Sequence, residues 1–211
     1  MKKSDFSYLF SKQGEAETPL PTRNAKQMVF VLFLFFLLFY FKYKPYDSLP
    51  HTIVDFSEYI LVIYHFIINQ TLGIVHEGGH GVCYILPCPQ FITVLNGSLF
   101  QWIFPLGIAY YYRKRGNKIA WYMGLFMFGI SMDYTAWYMS TAPEGAIVPA
   151  SKSFLGVDGL HDFHYLFTQL GVLKYASLIA GMTKLIAHLV MIGAVVAMFL
   201  HAFSNEGERK R

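Results

Sequence analysis

Val75-His76-Glu77-Gly78-Gly79-His80-Gly81 stands inside an apolar run that is long enough to cross a bilayer. In a helix, His76 and His80 lie four residues apart on one face, where two imidazoles can bind a single Zn²⁺. Glu77 then lies beside the metal and can take a proton from a water molecule. Two histidines and a glutamate at membrane depth are unfavourable in free energy unless they face a protein interior, a wet cavity or a metal. The stretch therefore predicts a functional metal site, with a chance pentad of hydrogen-bonded histidines as the alternative.

The composition indicates a membrane protein with one membrane domain. Of the 211 residues, 55% are hydrophobic and only 14% are charged, against roughly 25% charged in soluble domains. The net charge of +4 comes from basic residues in tails and short loops. That pattern sets membrane topology, so we expect a lipid bilayer as partner and no nucleic acid. The expected location is a plasma or inner membrane, as a multi-pass integral protein.

Apolar segments predict an all-α, polytopic transmembrane bundle of about five spans in residues 28–203. The segments lie at about 28–41, 59–86, 91–112, 119–139 and 175–203. Polar residues and Pro105 interrupt the third segment, so we expect this span to be broken or kinked. A flexible tail is expected at 1–27 and a charged tail at 204–211.

The positions of the basic residues predict how these spans are oriented in the membrane. Arg113, Lys114, Arg115 and Lys118 form the densest basic loop, and such loops are usually cytoplasmic. With five spans, the second and fourth helices run parallel. Asp133 in the fourth helix then occupies the same half of the bilayer as the pentad.

The chain resembles the site-2 protease-like membrane zinc metallopeptidases over about residues 60–185. The resemblance is carried by the pentad inside a span and by a later aspartate at the mouth of another helix, within Val157-Asp158-Gly159 or His161-Asp162-Phe163. In that family, two pentad histidines and a distant aspartate hold zinc, and the pentad glutamate is the general base. The resemblance implies that His76 and His80 are zinc ligands and that Glu77 is the catalytic base. The family's Asn-x-x-Pro-x-x-x-Leu-Asp-Gly pattern and a PDZ-type domain are absent from the sequence, so this would be a minimal, divergent member.

The third ligand has four candidates, because a catalytic zinc needs three protein ligands and one open position. Asp162 is preferred, since it begins a predicted helix that re-enters the membrane, as the family's aspartate does. Asp158 keeps the family-like Asp-Gly pair and comes second. Asp133 has a suitable depth but is equally suited to orient a ligand imidazole. His161 comes last and would make a site of three histidines.

Five other residues have open roles. Substrate or oxyanion contacts are candidates for Asn96, Gln101 and His164, with hydrogen bonds inside the bundle as the alternative for the two amides. Cys83 and Cys88 could form a disulfide or supplement a metal site, although we expect them to be small apolar core residues.

The leading hypothesis is an intramembrane zinc metallopeptidase that uses a zinc-activated water to hydrolyse peptide bonds of membrane-protein or peptide substrates. A non-catalytic, peptidase-like subunit or regulator of a membrane complex is the alternative. A membrane di-iron oxygenase is the third hypothesis, which draws on the pentad histidines together with His161 and His164. The sequence leaves the substrate and the oligomeric state open.

Overall fold

The computed structural model describes residues 22–42, 56–149 and 158–208. Most of this part is helical, so the expected all-α class is correct. The helices are α1 (Thr22–Lys42), α2 (Phe56–Ile85), α3 (Gln90–Lys114), α4 (Lys118–Ser140), α5 (Asp162–Gln169) and α6 (Ala176–Glu208). A short antiparallel pair joins β1 (Ile147–Val148) to β2 (Gly159–Leu160). The five long helices coincide with the five predicted apolar segments.

The two ends of the helical region extend further than predicted. α1 begins at Thr22, directly after Pro21, because no helix-breaking residue follows that proline. Residues 22–27 are therefore helical and do not belong to a tail. α6 likewise continues to Glu208, past the predicted end at residue 203. The rest of the two predicted tails, 1–21 and 209–211, lies outside the described residues.

The third apolar segment, which was expected to be broken or kinked, forms one continuous helix, α3, with Pro105 inside it, so the expected break is wrong. Pro105 has no backbone N–H, which leaves the carbonyl of Gln101 without its helical partner. The hydroxyl of Ser131 in α4 donates to this carbonyl at 3.0 Å. The Nδ2 atom of Asn96 donates to the backbone carbonyl of Gly79 in α2 at 2.6 Å. These bonds between helices satisfy the polar groups that suggested a break.

The helices bury two apolar clusters. The first lies where α4 packs along α6, with α1 and α2 against them, and its buried members include Val29, Leu72, Phe126, Ile130, Met191 and Met198. The second surrounds α5 and includes Phe163, Leu166, Phe167, Ala176 and Ala180. Burial of these side chains holds the N-terminal end of α5 against the bundle.

Two helices in the described residues are long and apolar enough to cross a membrane. They are α3 and the stretch Leu173–Ala202, which contains most of α6. Residues 26–36 of α1 form a shorter apolar stretch. No other helix in the described part meets the same test. The predicted number of five spans thus exceeds what length and hydropathy alone support.

A disulfide joins Cys83, in the last turn of α2, to Cys88, just before α3. The prediction that these residues are small apolar core side chains is therefore wrong. The tight turn at Pro87 brings the two Cα atoms to 5.0 Å, a distance that a disulfide can span. The bond closes the connection between α2 and α3.

Candidate metal centre

Three side chains from distant parts of the chain converge near the C-terminal end of α2. The Nε2 atom of His76 lies 2.7 Å from Oδ2 of Asp162, and Nε2 of His80 lies 3.3 Å from the same oxygen. The two Nε2 atoms are 3.1 Å apart. Burial alone would raise the pKa of Asp162, but the contacts of its carboxylate with the two imidazoles lower this pKa below its usual value. These three residues are the metal triad.

Each imidazole of the metal triad is held by its other ring nitrogen. The Nδ1 atom of His80 donates to the backbone carbonyl of Thr93 at 2.8 Å. The Nδ1 atom of His76 donates to Oε1 of Gln101 at 3.3 Å. A neutral imidazole that is protonated at Nδ1 presents a lone pair at Nε2. Both lone pairs face the Asp162 carboxylate. These three electron-pair donors repel one another unless a proton or a metal ion lies between them.

The donor set fits Zn²⁺. Two imidazole nitrogens and one carboxylate oxygen form a known catalytic ligand set, which leaves the fourth position open. Tetrahedral bonds of about 2.0 Å place the ligand atoms about 3.3 Å apart. The three observed separations run from 2.7 to 3.3 Å. Shifts of a few tenths of an ångström would therefore admit the ion.

A glycine in α3 makes room for the two imidazoles. A Cβ atom at Gly97 would lie 2.6 Å from the His80 ring and 2.8 Å from Nε2 of His76, too close for a real contact. Gly79 in α2 similarly permits close approach to the backbone at Asn96. The absence of side chains at these two positions lets α2 and α3 pack closely at the metal triad.

The N-terminal residue of α5 supplies the carboxylate of the metal triad, and the residue before it caps this helix. The Nδ1 atom of His161 accepts from the backbone N–H of His164 at 3.4 Å. Its Nε2 atom donates to the hydroxyl of Thr141 at 3.1 Å. Burial lowers the pKa of His161 to about 4, so the ring is neutral near pH 7. Both nitrogens of His161 are thus engaged away from the metal triad.

The other two candidates for the third ligand lie elsewhere. Asp158 is exposed and lines the neighbouring cavity, outside the metal triad. Asp133 is 1% exposed between α4 and α6, and its Oδ1 atom lies 3.5 Å from Nδ1 of His188. The prediction that Asp133 orients a ligand histidine is wrong. Equal depth in the bilayer does not fix the rotation of a helix, and α4 turns this side chain towards α6.

The three candidates for substrate or oxyanion contacts make other bonds. Asn96 bonds the backbone of α2 and Gln101 bonds His76. The Nδ1 atom of His164 donates to the backbone carbonyl of Ala142 at 2.8 Å. None of these three residues lines the cavity formed by the described part of the chain. They hold the helices and the ligand histidine in place.

A cavity of about 670 Å³ opens beside the metal triad. Glu77 is exposed on its wall, and its carboxylate makes no hydrogen bond to any described residue. Much of the rest of the lining is apolar or aromatic, and it includes Tyr84, Val94, Trp137, Tyr138, Val148 and Leu160. The cavity thus combines a free carboxylate with space for an apolar chain.

Tyr138, near the end of α4, is a site residue that the sequence analysis missed. Its hydroxyl oxygen accepts from the backbone N–H of Asp162 at 3.2 Å. Its ring is stacked on His161, with centroids 4.3 Å apart and planes at 5°. The chain has 15 tyrosines, and no local pattern distinguishes this one. Only the docking of α5 against α4 reveals its position.

The metal triad, Glu77, Tyr138 and the cavity form one site. It brings together three side chains that could hold a metal ion, an exposed carboxylate and an open cavity. No protein-family model matches the chain, and no curated protein or solved structure is significantly similar to it.

Proposed function

We propose that this protein is an intramembrane zinc metallopeptidase that hydrolyses peptide bonds of membrane-protein or peptide substrates. The observation that carries the proposal is the convergence of the metal triad beside Glu77 in one cavity. Three protein ligands and an open position are typical of catalytic zinc, whereas structural zinc has four protein ligands. The same residues carry the resemblance to the site-2 protease-like peptidases.

In the proposed hydrolysis, Glu77 takes a proton from water and later returns it. When bound, zinc would polarise a substrate carbonyl and lower the pKa of a water molecule. The Glu77 carboxylate accepts the proton of the water as the water oxygen bonds to the carbonyl carbon. The electron pair of the C=O bond moves onto the carbonyl oxygen. That pair then re-forms the C=O bond as the C–N bond breaks, the C–N electron pair leaves with the nitrogen, and Glu77 returns the proton there.

We further propose that the five long helices all span the membrane. α6, which is one of the two helices that are long and apolar enough, presents a stripe of large apolar side chains to its surroundings. The stripe is formed by Leu178, Met182, Leu185 and Leu189, which are 60–62% exposed. Their spacing of three or four residues places them on one face of the helix. Lipid is the proposed cover of this face.

The two ends of α3 carry different features, and these features support one orientation of the helix bundle in the membrane. Arg113 and Lys114 lie at its C-terminal end, and positive loops usually stay in the cytoplasm. The disulfide lies at its N-terminal end, on the same side as the metal triad. Disulfides persist mainly in oxidising compartments. Both signals favour a metal site in the half of the bilayer away from the cytoplasm.

The contacts of His161 and His164 do not favour a di-iron oxygenase. That function needs His161 and His164 to join the pentad histidines around the metals. Instead, the two side chains bond Thr141 and Ala142.

One experiment tests the proposed function against both alternatives. Wild type and His76→Ala are purified, their metal content is measured, and hydrolysis of an apolar fluorogenic peptide is followed. His201→Ala is the control, because this histidine lies near the far end of α6, outside the metal triad. One zinc per chain that is lost in His76→Ala, with zinc-dependent hydrolysis, supports the peptidase. Two irons per chain would support an oxygenase, and absence of metal and hydrolysis would support a non-catalytic subunit.

A further inference from the structure

The hydroxyl of Tyr138 lies at the metal triad, where its oxygen has one hydrogen-bond partner among the described residues. As an acceptor, this oxygen binds the backbone N–H of Asp162, the residue that supplies the carboxylate. As a donor, it meets no acceptor in the part of the chain that the structure describes. Tyr138 lines the same cavity as Glu77, His76 and His80. A half-buried hydroxyl that already accepts one hydrogen bond can still donate its own proton, and the cavity that Tyr138 lines gives space for an acceptor.

The position of this hydroxyl is fixed on several sides. The Tyr138 ring lies flat on His161 and meets the ring of Phe163 edge-on, with centroids 5.6 Å apart. The ring of His76 is 6.3 Å away on another side, at 78°. His161 is held in turn by its bonds to Thr141 and α5. A donor held in this way needs little reorganisation when charge develops near it.

We propose that Tyr138 is a catalytic residue whose hydroxyl donates a hydrogen bond to the carbonyl oxygen of the scissile peptide as negative charge builds on that oxygen. The inference rests on the proposed peptidase function and adds to it the second polar group that such a reaction needs. Glu77 handles the proton of the water, and Tyr138 stabilises the oxygen that receives the electron pair of the C=O bond. The hydroxyl proton stays on Tyr138 throughout.

The Tyr138→Phe substitution tests this inference because it removes only the hydroxyl and keeps the ring on His161. Tyr122→Phe is the matched control, since it makes the same change on α4, roughly 24 Å away along the helix. In Tyr138→Phe we expect full zinc occupancy, an unchanged KM and a kcat about 10²- to 10³-fold lower, the range for losing one oxyanion donor. Tyr122→Phe should keep the wild-type kcat.

A second measurement does not depend on turnover. Two inhibitors are compared by calorimetry on zinc-loaded protein: a phosphinate analogue of an apolar dipeptide, which carries a tetrahedral oxyanion, and the matching thiol, which does not. Tyr138→Phe should weaken the phosphinate about 10²-fold and leave the thiol unchanged. Equal effects on both inhibitors, or none on either, would overturn the inference.

The remaining outcomes separate Tyr138 from the wider proposal. Loss of zinc in Tyr138→Phe would mean that the hydroxyl only positions Asp162, which overturns a catalytic role. A wild-type kcat in zinc-replete Tyr138→Phe would overturn it as well. If wild type carries zinc but hydrolyses no peptide, the peptidase proposal fails, while selective loss of phosphinate affinity still supports a donor at this position.

Discussion

The side chains of His76 and Asp162 meet at 2.7 Å although 86 residues separate them in the sequence. One belongs to a long helix of the bundle, and the other begins the eight-residue helix α5. The metal triad is therefore complete only when α5 is docked against α4 and α3. Packing of the apolar face of α5 and formation of the site are one event.

Removal of the distant carboxylate should release the metal. We expect Asp162→Ala to lower zinc occupancy as sharply as His80→Ala, because either change leaves two protein ligands. Asp158→Ala is the matched control, since this aspartate lies in the cavity wall outside the metal triad. Metal analysis after dialysis provides the measurement. Zinc retained in Asp162→Ala but lost in Asp158→Ala would identify the other aspartate as the ligand.

Glu77→Gln should separate metal binding from hydrolysis. The amide fits the same space on the cavity wall but cannot accept a proton from water. We expect wild-type zinc content and a kcat lower by about 10²-fold or more. Parallel zinc and turnover assays check this result, with His76→Ala as the variant that loses both. Turnover at the wild-type rate in Glu77→Gln would remove this residue from the mechanism.

Gln101 should contribute to metal affinity through His76. Its Oε1 atom accepts from Nδ1 of His76 and so keeps Nε2 free for the metal. Gln101→Leu should weaken zinc binding about 10- to 100-fold, as measured by competition with a chelator. Gln101→Glu keeps an acceptor at this position and should restore much of the affinity. Equal affinities in the leucine variant and wild type would assign Gln101 to helix packing alone.

Gly97→Ala should disturb the metal triad, because the added methyl group overlaps both imidazoles. We expect reduced zinc affinity and a loss of about 1–3 kcal/mol in the free energy of unfolding from overpacking. Gly107→Ala, on the same helix α3, is the control, since apart from the adjoining backbone of α3 nothing described lies within 4 Å of its new Cβ. Thermal unfolding with and without zinc distinguishes the two variants. A Gly97→Ala protein as stable and as zinc-rich as the control contradicts this packing.

Reporter insertions should reveal the orientation of the bundle. A reporter after Lys118, which follows the basic end of α3, should be cytoplasmic. A reporter at Ser153 should be on the opposite side if α4 spans the membrane. Accessibility to membrane-impermeant reagents in intact cells and in lysed cells gives the measurement. The same side for both positions would remove α4 from the set of spans.

Patterns within one segment predicted much of this fold. The pentad spacing placed His76 and His80 on one face of a helix, and apolar runs located all five long helices. Pro87 correctly marked the end of α2. The break in α3 was wrong because the sequence shows Pro105 but not the Ser131 hydroxyl that replaces its missing bond. That partner becomes visible only when α4 packs on α3.

Contacts between segments explain the other differences. Asp133 and the pentad were expected to act together from their depth, but side-chain direction depends on the rotation of α4 against α6. Tyr138 carries no pattern of its own, and its place beside Asp162 depends on the docking of α5. Asp162 could be chosen only because a predicted helix start coincided with a family resemblance.

The disulfide also sets the chemistry of the cavity wall beside the metal triad. Cys83 and Cys88 both line the cavity that contains the metal triad. Reduction would add two thiols to this wall, and thiolates are softer zinc ligands than the nitrogen and oxygen donors of the triad. While the bond is closed, neither sulfur can compete for the ion. Purification with a strong thiol reductant would therefore replace one closed disulfide by two free thiols in the wall of this cavity.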